Sequence, residues 1–185
     1  MKNLKLLALA IVTILSFSSC NNDDPEVVNE EELITTVTTT LTAGSSVITL
    51  KSVDLDGDGP NKPVVTVSGN LTANTTYNGR TTILNESVSP ADDITAEVQE
   101  EGDEHQLFYQ APTAIGTFAY GDLDEDGKPI GLVFTLKTGT TPTTGTIVVT
   151  LKHEPNKNAA GVATGDITNA GGATDAEVRF PVEVK

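Results

Sequence analysis

The chain has 185 residues, room for one mid-sized domain or two small ones. It carries a formal charge of -15, 16 Gly, no Trp and only 4% aromatics, a sheet-forming composition with a thin aromatic core. A surface this acidic excludes a nucleic-acid partner and repels anionic lipid headgroups; it suits solubility, cation binding or resistance to association.

Residues 1–19 have a basic start at Lys2 and Lys5, an apolar run from Leu6 to Phe17, and small Ser18-Ser19 before Cys20. The run is too short for a comfortable membrane span and reads as an export signal. Leu15-Ser16-Phe17-Ser18-Ser19-Cys20 resembles a bacterial lipoprotein signal. That resemblance implies cleavage before Cys20, acylation of its sulfur, and anchoring in a lipid bilayer by more than one chain. Cys20 is the sole Cys, so a lipidated chain has no disulfide and must hold by packing. Residues 20–32 are polar and acidic and contain Pro25, which predicts a flexible tether. Asn21-Asn22-Asp23-Asp24 resembles the acidic signal that sends Bacteroidota lipoproteins to the outer face of the outer membrane.

Leu33, Thr35, Val37, Thr39 and Leu41 alternate with polar neighbours and predict a strand. A second strand is expected over 47–53, ending in an acidic loop, and a third over 64–68. Tyr77-Asn78-Gly79 reads as a turn before a strand over 80–85. Ser89-Pro90 then predicts the start of one short helix over 91–101, with Ile94 and Val98 on its apolar face and Gly102 at its end. Strands follow over 105–110, 117–121, 130–137 and around Ile147, Val149 and Leu151; 155–172 reads as a long ordered loop. Val178, Phe180, Val182 and Val184 alternate to the end, and Pro181 on the opposite parity marks an edge strand.

The halves echo each other. Asp54-Leu55-Asp56-Gly57-Asp58-Gly59 returns as Asp122-Leu123-Asp124-Glu125-Asp126-Gly127. Glu86 and Glu154 follow at equal spacing, and Asp93-Ile94-Thr95 is matched by Asp166-Ile167-Thr168. This predicts internal repetition. With short strands and no βαβ rhythm, the expected fold is all-β: an immunoglobulin-like β-sandwich of two pseudo-repeated units, 33–104 and 105–185.

The acidic loops resemble the Asp-x-Asp-x-Asp-Gly calcium turn, so Asp54, Asp56, Asp58, Asp122, Asp124 and Asp126 are candidate calcium ligands. The bidentate Glu at position twelve is replaced by Val65 and Val133, so any site is partial. Carboxylates about 5 Å apart repel by only roughly 1 kcal/mol in water, so repulsion does not decide between an ion site and solvated Asp/Gly turns. A second constellation is Glu101, Glu104, His105, His153 and Glu154. Two imidazoles and carboxylates meeting at one end of a sandwich would suit zinc or another transition metal. Of catalytic signatures the chain has no Gly-x-Ser-x-Gly, phosphate loop or His-Glu-x-x-His, which points away from an enzyme. Tyr77, Tyr109 and Tyr120 read as core or rim packing.

Taken whole, the chain resembles short, uncharacterised lipoproteins of Flavobacteria and other Bacteroidota. The likeness rests on the first acidic loop, Asp103-Glu104-His105-Gln106, Lys152-His153-Glu154-Pro155 and Gly165 to Gly172. Some of that group carry a periplasmic-binding-fold label, which a chain with one helix does not fit. The resemblance implies a partner, a TonB-dependent outer-membrane receptor, and a nutrient or metal as cargo. The expectation is a non-enzymatic, outer-membrane-anchored binding module facing the cell exterior. The rival is a structural or adhesive surface module whose acidic loops are only turns.

Overall fold

The computed structural model describes residues 33–57 and 59–185. The signal segment 1–19, Cys20, the tether 20–32 and Asp58 lie outside the described residues. Inward-facing apolar residues recur every second position, and the chain accordingly forms two antiparallel sheets. The strands are β1 (Thr36–Ala43), β2 (Ser46–Val53), β3 (Val64–Val67), β4 (Thr76–Leu84), β5 (His105–Gln110), β6 (Gly116–Tyr120), β7 (Val133–Thr138), β8 (Thr143–His153) and β9 (Ala173–Val184). The helix α1 (Ile94–Glu100) and two 3-10 turns, Val162–Thr164 and Ile167–Asn169, complete the fold.

Sheet order is β3-β2-β1-β4-β7-β6 in one layer and β5-β8-β9 in the other. Leu41, Leu50, Tyr77, Ile83, Phe134 and Leu136 from the first layer meet Leu107, Ile147, Val149, Leu151 and Phe180 from the second. The all-β architecture with one short helix is therefore as expected. The division at 104/105 is not. β4 pairs directly with β7, so strands of both halves share one sheet, and the described residues form one compact unit. Leu71 also bridges to Val184 at the chain's end, tying the first half to the second sheet.

Three local expectations change. Tyr77-Asn78-Gly79 is strand, not turn, because Gly79 lies opposite Phe134 and any Cβ there would sit 2.3 Å from its ring. The helix begins at Ile94, capped by the Asp93 carboxylate, which accepts from Thr95 N at 3.1 Å; Ser89-Pro90 lies in the preceding turn. The Thr95 hydroxyl then exchanges hydrogen bonds with Ile83 N and O, docking α1 on β4. The strand β8 begins at Thr143, earlier than the alternation around Ile147, Val149 and Leu151 marks. The long connection 155–172 packs Val162 and Ala170 on Phe108, so β5 is covered on both faces.

Candidate metal centre

The strands β5 and β8 are adjacent, and their register sets His105 directly opposite His153. Both are on the inward parity, at the end of the core, where apolar residues give way to solvent. The rings stack with centroids 4.8 Å apart and planes 11° from parallel. The sequence offered no proof that these two histidines converge; the strand pairing brings them together.

A third donor was not anticipated. In the β8–β9 ladder Leu151 pairs with Ala176 but Lys152 pairs with Thr174, so Asp175 is the extra residue of a β-bulge. A bulge turns two successive side chains toward one face. Plain alternation from Val178 to Val184 puts Asp175 on the outside; the bulge brings it to the histidines. One ligand atom from each of His105, His153 and Asp175 lies within 4.8 Å of the other two. A second group, Glu104, His153 and Glu154, meets the same criterion, so His153 is common to both.

The surroundings orient these donors. The His105 Nδ1 lies 3.2 Å from the Glu101 carbonyl and donates to it, which leaves Nε2 with the lone pair. That carbonyl is the contribution of Glu101; its carboxylate is 3.9 Å from Nδ1 and belongs to neither group. The Glu104 carboxylate lies 3.7 Å from His153 Nε2. The Glu154 backbone sits at φ 49°, a left-handed conformation uncommon for a side-chain-bearing residue, and its N–H donates to Glu104 O at 2.6 Å. Gly172 passes so close that a Cβ would be 2.2 Å from His153 O. His105 is buried and His153 mostly so, while Glu104 and Glu154 stand toward solvent.

Zinc ligands held 2.0–2.2 Å from the ion sit about 3.3 Å apart in a tetrahedron. The His–His–Asp donors therefore close by at most about 1.5 Å on taking up an ion, within the reach of side-chain rotation. A cavity of about 420 Å³ beside Asp175 is lined by Asp54, Thr35, Ser52 and Glu177, which places the first acidic loop next to this centre.

In the second acidic loop, Asp122 and Asp124 are engaged by the protein's own donors. Asp122 accepts from Gly131 N and Val133 N at 2.8 and 2.9 Å. Asp124 accepts from Asp126 N, Lys128 N and, at 2.8 Å, the Lys157 ammonium. That ammonium also donates to Pro129 O and Gly102 O, so a buried lysine supplies the positive charge beside Asp124. Burial alone would raise the Asp124 carboxyl, but the Lys157 and Lys128 hydrogen bonds prevail and hold it below the usual range. Neither group of ligand atoms found among the described residues includes Asp122, Asp124 or Asp126. In the first loop Asp56 accepts from Asn61 N at 3.2 Å and Asn61 Nδ2 at 2.7 Å; the backbone bond first, with the amide, holds its carboxyl low. Asp54 and Asp56 are likewise in neither group.

The fold and site thus define an all-β sandwich with a histidine-pair and carboxylate centre at one end of its smaller sheet. Comparison with family models, curated proteins and solved structures yields no match to any of them.

Proposed function

We propose that the chain is a non-enzymatic, lipid-anchored module of the outer membrane that captures a divalent transition-metal ion, zinc being the simplest case, for hand-over to a TonB-dependent receptor. The observation that carries this reading is the His105–His153–Asp175 group, three donors of the kind zinc prefers within 4.8 Å of one another. Three protein ligands leave a fourth position for water or for a donor from a receptor, which suits an ion that is bound and then released. The anchor and the receptor rest on Cys20 and on the lipoprotein resemblance.

Elemental analysis of the purified mature protein, with thermal melts in added zinc, tests the reading. At a hundredfold excess over Kd, zinc stabilises by about 2.7 kcal/mol, roughly 5–10 °C for a chain of this size. The shift vanishes in the His105→Ala, His153→Ala double variant. An undiminished shift in that variant would remove the centre from consideration.

One observation favours the rival surface module. Leu55, Val64 and Val65 are exposed around the β2–β3 hairpin, Val64 at 64%. If the hairpin adheres to another surface, Val64→Lys abolishes cell adhesion and leaves zinc binding intact.

A further inference from the structure

Seven aromatic side chains occur among the described residues, and four of them, Tyr109, Phe118, Tyr120 and Phe134, line one cleft. The cleft is bounded by the end of β5, the strand β6 and the Thr164–Ile167 turn, and holds about 390 Å³, within the range of small-molecule sites. Its rings are packed together: Tyr109 and Phe134 centroids are 3.9 Å apart, Tyr109 and Phe118 5.5 Å. The Tyr120 hydroxyl donates to Leu107 O at 2.8 Å and accepts from Gln106 Nε2 at 3.0 Å, which fixes that ring in the wall. Phe118 and Tyr120 keep part of their surface in water. In a chain so short of aromatics, leaving two of them partly exposed at one spot costs core packing, and a ligand site accounts for the placement.

The charge of the lining selects the ligand. None of its residues is basic, and its single charged side chain is Asp166. The Asp166 Oδ1 accepts from Thr168 N at 2.9 Å, and the hydrogen bonds from Thr168 hold the carboxyl below its ordinary range, so it is ionised at neutral pH. With a net charge of -15 behind it, an anionic ligand is repelled. Aromatic faces attract a cation through their quadrupole, most strongly one with a weakly hydrated apolar shell.

We propose that this cleft binds a small organic cation of the alkylammonium class, its charge over the Phe118 and Tyr120 rings and beside the Asp166 carboxylate. The site is separate from the histidine centre and does not depend on it. Choline is the probe, against its uncharged isostere in which a tert-butyl group replaces the trimethylammonium. Calorimetry or amide-shift titration of the full chain is expected to give saturable choline binding at millimolar concentration or below, and binding of the isostere weaker by about tenfold or more. Asp166→Asn keeps an acceptor for Thr168 and so keeps the turn; it and Phe118→Ala each weaken choline about tenfold. Far-ultraviolet circular dichroism checks that both variants are folded. The His105→Ala, His153→Ala protein binds choline as the parent does. The proposal is overturned if choline does not bind at millimolar concentration, if the isostere binds equally, if folded Asp166→Asn and Phe118→Ala bind as the parent does, or if the double histidine variant loses the ligand.

Discussion

The side chains of Lys157 and Asp124 are 5% and 2% exposed, so their pairing is made largely without water. Breaking such a pair from one side leaves the other charge buried, and Lys157→Met also orphans two carbonyls, Gly102 O and Pro129 O. We expect Lys157→Met to cost about 3 kcal/mol in urea unfolding. The pH dependence follows from Asp124. Its folded pKa is depressed, so its stabilisation is present above the unfolded value of about 4 and is lost as pH falls through the folded one. Asp124→Asn is therefore clearly less stable than the parent at pH 7, and the gap closes as the pH falls below the ordinary carboxylate range; a gap that widens on acidification contradicts the assignment. A second buried polar chain runs Thr39–Thr81–Tyr109 to Gly131 O, each link 2.7–2.8 Å. Burial drives the Tyr109 phenol well above its ordinary range, so it remains a donor. Tyr109→Phe strands the Gly131 carbonyl and costs about 1–2 kcal/mol, read as a lowered urea midpoint at unchanged m-value. Neither network was legible in the sequence. Alternation marks Thr39 and Thr81 as inward but says nothing of partners 28 or more residues away, and Lys157 lies in a connection whose path no periodicity fixes.

At the scale of elements, alternation was a good guide because most strands have one face on the core, where a one-residue slip would expose the whole apolar set. It failed where geometry breaks the period or where a neighbour's volume decides. Asp175 is the first case: the bulge exists only relative to β8, so a single strand's pattern cannot announce it. Gly79 is the second. Asn-Gly is a strong turn signal, yet here the missing side chain is a seat for Phe134. Gly79→Ala is expected to cost about 1–3 kcal/mol through overpacking, seen in thermal melts; a neutral result would mean that Phe134 can move aside. The repeated Asp-Ile-Thr makes the same local contact in both copies. The Asp93 carboxylate caps α1 through Thr95 N, and Asp166 caps a 3-10 turn through Thr168 N. The acidic loops echo only in position, each closing an antiparallel hairpin, β2–β3 and β6–β7. Their carboxylates meet different surroundings, Asn61 at Asp56 and Lys157 at Asp124.

For the molecule as a whole, the question is whether the halves are separable. Two separable domains would require 33–104 to carry its own core. The pairings argue otherwise. The six-stranded sheet takes β7 and β6 from the second half, and the facing layer of β5, β8 and β9 lies entirely beyond residue 104. Cutting there strips the cover from Leu41, Ile48, Leu50, Tyr77 and Ile83, each 4% exposed or less in the intact chain. At about 1.5–3 kcal/mol for each large apolar side chain, exposing these five loses about as much as the whole net stability of a typical domain, roughly 5–15 kcal/mol. The fragment 33–104 is therefore expected to show no cooperative thermal transition alone, and to regain one when mixed with 105–185, because β4–β7 pairing and the inter-sheet core re-form in trans. The histidine centre sharpens the test, since His105, His153 and Asp175 all belong to the second fragment while Asp54 lines the adjoining cavity from the first. Zinc should raise the midpoint of the mixture and leave 33–104 without a transition. A sharp, independent melt of 33–104 would mean that the first half holds a core of its own, and that the shared sheet is a docking surface between two domains.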